Sequence, residues 1–280
     1  MKLLRYGPPG QEKPGLLDAD GTIRDLSAEV PDLAGEALSP EGLARLAALD
    51  TSALPAVGGN PRIGPPVAGM KNFVCIGLNY ADHAAETGAA APKEPIIFLK
   101  SLGALQGPDD DVEIPAGSTK TDWEVELAII IGRRAKRVSE AEALDYVAGY
   151  AVCNDVSERE HQIERGGTWD KGKGHDTFGP LGPWLVTKDE VPDPQNLSMF
   201  CEVDGHRYQD GSTRTMIFGV AKLVSYVSHF ITLYPGDVIT TGTPPGVGMG
   251  QKPPVFLKAG QTIRLGIQGL GEQTQKTVGG

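Results

Sequence analysis

The chain has 280 residues, with 26 Lys and Arg against 36 Asp and Glu, giving a formal net charge of −10. Its 40% hydrophobic and 22% charged content is that of a globular protein, and it has no Lys/Arg cluster to suggest nucleic-acid binding or a polybasic membrane anchor. The 37 Gly and 22 Pro supply so much turn chemistry that a helical bundle is excluded.

The longest apolar run, Leu127-Ala128-Ile129-Ile130-Ile131, falls far short of the ~20 residues needed to cross a membrane. The opening Met1-Lys2-Leu3-Leu4-Arg5-Tyr6-Gly7-Pro8-Pro9 breaks too early for a signal peptide. A cytoplasmic protein with neither nucleic-acid nor membrane partners is expected. Cys75, Cys153 and Cys201 are odd in number, widely spaced and set among apolar residues, so they read as buried reduced thiols.

Residues 1–65 read as a small N-terminal α/β domain. Short strands are predicted at 3–6, 15–17 and 22–26, the last two joined by the turn Asp18-Ala19-Asp20-Gly21. A helix follows, with Ser39 as N-cap and Pro40 at its first position. A Gly- and Pro-rich linker over 57–66 then leads to a second domain, 70–280.

That domain shows strand patterns at 73–77, 96–100, 123–131, 150–154, 199–203, 238–241 and 261–267. The capping box Ser139-Glu140-Ala141-Glu142 opens one predicted helix, ending before Gly149. Val220, Leu223, Val224, Val227 and Ile231 form the apolar face of another. Two helices cannot cover seven strands, so the expected fold is mainly β with few helices (α+β), a mixed β-sandwich or roll.

In Asp122-Trp123-Glu124-Val125-Glu126-Leu127, strand alternation puts Glu124 and Glu126 side by side on one face. Two carboxylates in so apolar a strand repel each other and are costly to desolvate without a counter-charge. A divalent cation is one solution, and an all-oxygen site suits Mg²⁺, Mn²⁺ or Ca²⁺. An edge strand with its acidic face in water is the other. Asp155, at the end of the strand over 150–154, is either a third ligand or the N-cap of a helix from Val156.

His83 and Glu86 lie at i and i+3 in a short predicted helix closed by Gly88, either as a water-activating pair or as a solvated surface pair. Lys171-Gly172-Lys173-Gly174-His175-Asp176-Thr177 reads as a loop that meets an anion or as an ordinary turn. Backbone N–H groups of the stretch Thr240–Gly248 could cradle a carboxylate. His161 and His175 border the proposed site.

Together these pieces resemble the fumarylacetoacetate hydrolase family over roughly residues 70–270. The resemblance is carried by Gly77-Leu78-Asn79-Tyr80-Ala81-Asp82-His83, Phe98-Leu99-Lys100, Glu124-Val125-Glu126, Asp155, Asp176-Thr177-Phe178-Gly179-Pro180 and Thr241-Gly242-Thr243-Pro244. It implies a mixed β-sandwich roll that dimerises, with Mg²⁺ or Mn²⁺ held by Glu124, Glu126 and Asp155. It also implies that His83 and Glu86 form a catalytic dyad, that Lys173 is the active-site lysine, and that Arg159, Gln162 and Thr243 line the substrate pocket. The family's lysine is often followed by Ser-Phe; here Gly174-His175 follow, a departure that bears on the substrate.

The implied reaction is hydrolytic C–C cleavage of a small 2,4-diketo acid of the acylpyruvate type. The run from Lys173 to Trp184 resembles the branch acting on 2,4-diketo-3-deoxy-L-fuconate or -L-rhamnonate, which releases pyruvate and lactate. Oxaloacetate decarboxylation, or a hydratase, isomerase or ureidoglycolate lyase reaction, is the alternative on the same metal site.

Overall fold

A computed structural model describes residues 1–82 and 91–280. Its backbone is dominated by an 11-stranded mixed sheet and a five-stranded sheet facing each other, with few helices, so the expected class is met. Along the large sheet the order is Ile23–Asp25, Lys13–Leu17, Lys2–Tyr6, Gly179–Thr187, Val147–Asn154, Val125–Ile131, Val238–Thr240, Phe73–Gly77 and Ile96–Leu99. Neighbours on this path run antiparallel except Val238–Thr240 beside Phe73–Gly77. The five-stranded sheet runs His206–Ser212, Ser198–Val203, Thr262–Ile267, Gly271–Gly279 and Val112–Ile114.

Val125–Ile131 is central rather than an edge, paired with Val147–Asn154 on one side and Val238–Thr240 on the other. Alternation sorts its side chains into two cores. Val125, Leu127, Ile129 and Ile131 face the five-stranded sheet and the helix Val220–Phe230, while Ala128 and Ile130 join the core that includes Leu3, Leu16 and Leu46. Glu124 and Glu126 continue this second face to the end of the sheet, where the apolar core gives way to a cavity.

The N-terminal elements form as predicted: Ser39 Oγ accepts from Gly42 N at 3.0 Å, capping the helix Pro40–Ala47. The division expected between residues 65 and 70 is crossed by hydrogen bonds, because Lys2–Tyr6 pairs with Gly179–Thr187 in the large sheet. The helix expected after Ser139 is one 3-10 turn, Ala143–Tyr146; Ser139 Oγ donates instead to the Glu142 carboxylate at 2.6 Å, and the strand Val147–Asn154 begins at once. All three cysteines are free and buried. Among the described residues, no helix is long and apolar enough to cross a membrane.

Candidate metal and substrate site

Glu124, Glu126 and Asp155 are buried, and each offers a carboxylate oxygen within 4.8 Å of the others. Sheet register brings them together: Val125 lies opposite Asn154, and Asp155 N donates to Glu124 O at 2.9 Å. The N-cap alternative for Asp155 fails because residues 157–158 are strand and its carboxylate accepts from Lys100 and Lys173. The water-facing alternative for the two glutamates fails because they lie in the interior.

Lys173 spans two of the three carboxylates, with Nζ 2.7 Å from Glu124 Oε2 and 3.0 Å from Asp155 Oδ2. Lys100 Nζ donates to Asp155 Oδ1, and to Val156 O at 3.0 Å. Arg159 donates from Nε to Asp122 Oδ2 at 2.8 Å and from Nη1 to Gln162 Oε1 at 3.1 Å, and its Nη2 lies 2.8 Å from Glu124 Oε1. The linked groups are thus the carboxylates of residues 122, 124, 126 and 155 against the cations of residues 100, 159 and 173, one negative charge in excess when all are ionised. That excess falls hardest on Glu126. Burial, then Asp155 and Glu124, pushes its carboxyl well above the ordinary range, against the opposing pull of Lys173 and the Gly242 N–H. A buried, all-oxygen, net-negative cluster of this kind is a fit for one divalent cation such as Mg²⁺ or Mn²⁺, which these three carboxylates would hold.

Glu124, Glu126, Arg159, Gln162, Lys173 and Thr243 line one cavity of about 240 Å³, together with apolar groups that include Phe98, Ile163, Trp169 and Met249. Asp155 lies behind that lining. His83 and Glu86 fall outside the described residues.

The two loops singled out by sequence both meet carboxylates, and these are the protein's own. Lys173 ends a helical turn, Asp170–Lys173, and its ammonium engages the protein's own carboxylates. The loop after Val238–Thr240 does cradle carboxylates through its backbone, but these too are internal. Gly242 N donates to Glu126 Oε2 at 2.8 Å, while Gly248 N and Met249 N donate to Asp122 at 2.6 and 3.0 Å. Gly242 has φ +88°, a conformation that suits glycine and aims its N–H at Glu126. His161, next to the cavity-lining Gln162 in the chain, and His175, two residues beyond Lys173, face each other at 2.9 Å.

Three buried residues around the site carried no assigned role in the sequence: Asp122, Lys100 and Gln209. Asp122 and Lys100 were visible inside the quoted motifs, where a charge among apolar neighbours was the available signal. Gln209 had none, since it lies in a polar stretch 83 residues beyond Glu126 and reaches the site only because the two sheets face each other.

The sequence model described as fumarylacetoacetate (FAA) hydrolase C-terminal matches residues 72–278. A Burkholderia multivorans protein carrying only a general, provisional hydrolase name is 70% identical over 278 residues, 99% of each chain. Fumarylacetoacetate hydrolase from Exiguobacterium antarcticum superposes with a TM-score of 0.87 at 35% identity, covering 100% of both chains. Maleylpyruvate hydrolase from Sphingobium sp. SYK-6, solved with manganese(II) and pyruvate, gives 0.82 at 30% identity, again over 100% of both. The chain belongs to the fumarylacetoacetate hydrolase family.

Proposed function

We propose that this family member is a divalent-cation-dependent hydrolase that cleaves a C–C bond in a 2,4-diketo acid of the acylpyruvate type. The finer reading is 2,4-diketo-3-deoxy-L-fuconate or -L-rhamnonate as substrate, giving pyruvate and lactate, by a cytoplasmic homodimer. The observation that carries the proposal is the Glu124–Glu126–Asp155 cluster, spanned by Lys173 and opening on a cavity whose polar side holds Arg159, Gln162 and Thr243.

Charge balance favours a substrate that carries one carboxylate. A divalent cation turns the one excess negative charge of the cluster into one excess positive charge, which a single substrate carboxylate neutralises. When bound, the cation supplies Lewis-acid stabilisation to the oxygens of the chelated keto acid. Arg159 and Gln162, fixed to each other at 3.1 Å, orient the substrate from one wall, and Thr243 orients it from the opposite loop. His83, oriented by Glu86, takes a proton from the water that attacks the C4 carbonyl. The C3–C4 bond then breaks, its electron pair leaves as the pyruvate enolate, and a proton returns to C3. Lys173 stabilises the negative charge that develops on that leaving group.

The test follows the ultraviolet band of the enolised diketone and the appearance of pyruvate. Acetylpyruvate, the 2,4-diketo-3-deoxy sugar acids and oxaloacetate are compared with Mg²⁺, with Mn²⁺ and with chelator. Metal-dependent loss of the diketone with stoichiometric pyruvate supports the reading. Pyruvate from oxaloacetate alone would replace hydrolysis with decarboxylation on the same site.

A further inference from the structure

Two short turns build one wall of the cavity. Glu160–Glu164 carries Gln162 and Ile163, and Asp170–Lys173 carries Lys173. They meet at the backbone, where a Cβ on Gly172 would stand 2.4 Å from the Gln162 amide nitrogen. Beside this contact His161 Nδ1 faces His175 Nε2 at 2.9 Å. His161 immediately precedes Gln162, and His175 follows Lys173 by two positions. Glu158, fully buried, accepts from the His161 amide at 2.6 Å and holds Oε2 3.5 Å from His161 Nδ1. Its other oxygen accepts from the Ser118 hydroxyl at 3.0 Å. The Phe178 ring covers His175, centroid to centroid 5.1 Å.

We infer that the His161–His175 hydrogen bond is a latch that fastens the Gln162 turn to the Lys173 turn and so sets how tightly the cavity grips its substrate. The inference rests on the proposed function only for what fills the cavity. Both histidines are positioning residues, because each acts through its neighbour.

The chemistry of the pair makes the latch sensitive to acid. Two facing imidazole nitrogens bond when one carries a proton and the other a lone pair; with both protonated, two N–H groups and two like charges oppose each other. The charged groups around the pair are Glu158, Glu160, Asp176 and Lys100. Burial first, and His161 second, hold His175 below the ordinary imidazole range. The latch is therefore closed at neutral pH and opens on acidification, once both rings are protonated.

The test uses His161→Ala, His175→Ala, their double variant, and a paired His161→Asn/His175→Gln replacement. In that pair the Asn amide takes the place of Nδ1 and the Gln amide that of Nε2, giving a hydrogen bond without a titrating group. Amide exchange across residues 159–176 of the full chain should rise equally in either Ala variant and no further in the double. KM for acetylpyruvate should rise about threefold to tenfold, the range of one neutral hydrogen bond, with kcat within about twofold. The Asn/Gln protein should keep wild-type KM and lose the rise in KM that wild type shows on acidification. Unchanged exchange, additive increments in the double variant, unchanged KM in both single variants, or a retained acid limb in the Asn/Gln protein would each overturn the latch. Should acetylpyruvate not be turned over, the functional reading fails separately, and the calorimetric Kd for oxalate on Mn²⁺-loaded protein replaces KM in the same comparisons.

Discussion

Arg159 donates from Nε to Asp122 Oδ2 at 2.8 Å, and both side chains are buried. Asp122 also accepts from three backbone N–H groups, at Trp123, Gly248 and Met249, so a single carboxylate fixes a cavity-lining guanidinium and the loop after Thr240. Removing it leaves a buried cation short of one partner, which typically costs about 3–5 kcal/mol. Asp122→Ala should lower the unfolding free energy measured in urea by that order, and the milder Asp122→Asn should fold and raise KM at least tenfold. Wild-type KM in a folded Asp122→Asn protein would remove Arg159 from substrate binding.

Lys173 lies between Glu124 and Asp155, where its charge opposes a bound cation and, in the proposed reaction, stabilises the leaving group. Burial alone would lower its pKa, but Asp155 and Glu124 outweigh that and hold the ammonium above the ordinary lysine range. It stays charged across the working pH range and contributes no neutral limb to a rate profile. Lys173→Met should reduce kcat by about 10²–10³-fold, the scale of a lost oxyanion-stabilising group. With one positive charge removed beside Glu124 and Asp155, Mn²⁺ should bind at least as tightly as to wild type, read by the fall in the electron paramagnetic resonance signal of free Mn²⁺. Weaker Mn²⁺ binding in that variant would contradict the proposed arrangement.

Glu126 gives cation binding a pH dependence of known sign. Its folded pKa is raised above the ordinary 4.5, so the metal-free fold holds a proton that the unfolded chain releases. This stability is fully present below pH 4.5 and is lost as the pH climbs through the raised folded value. A cation needs the ionised form, so its affinity should rise with pH across that same window, up to tenfold per pH unit for one displaced proton. The melting shift produced by Mn²⁺ should accordingly be larger at pH 8 than at pH 5.5, and Glu126→Gln should flatten the trend. A Mn²⁺ affinity independent of pH in wild type would show that Glu126 does not have to lose a proton for the cation to bind.

How much of this was legible in the sequence depends on what each residue packs against. Glu124 and Glu126 could be read because strand alternation is local, and the apolar run to Ile131 marks burial. The strands Gly179–Thr187 and Gly271–Gly279 were missed for opposite reasons. The first opens Gly-Pro-Leu-Gly-Pro, the composition of a turn, yet lies between two partners in the large sheet. The second turns Gln273, Gln275 and Thr277 inward, so no apolar alternation betrays it. Gln273 meets Val152 O and Gly182 O, and Gln275 accepts from Asn154, which makes its buried face polar by design of the neighbouring strands. The loop after Thr240 was identified as a carboxylate cradle, but whose carboxylate it holds depends on contacts more than 100 residues apart in the chain.

Gln209 ties the two sheets together at the site. From the five-stranded sheet it accepts from Val125 N at 3.0 Å and donates to Thr243 Oγ1 at 2.7 Å and Pro244 O at 2.8 Å, and the Thr243 hydroxyl in turn donates to Val125 O at 2.9 Å. Val125 separates the two glutamates, so this ring of hydrogen bonds sets their strand at a fixed distance from the cavity-lining Thr243. Gln209→Leu keeps the volume but strands buried polar groups, each costing about 1–3 kcal/mol. The variant should melt earlier, raise KM and weaken Mn²⁺ binding together. Gln273→Leu is the control, since that glutamine is equally buried but donates to Val152 O and Gly182 O and reaches the Glu124 backbone only through Gln275 and Asn154. It should lose comparable stability while KM and Mn²⁺ affinity stay at wild-type values. Equal kinetic losses in the two variants would mean that the site responds to stability in general, and that the Gln209 ring holds nothing particular to it.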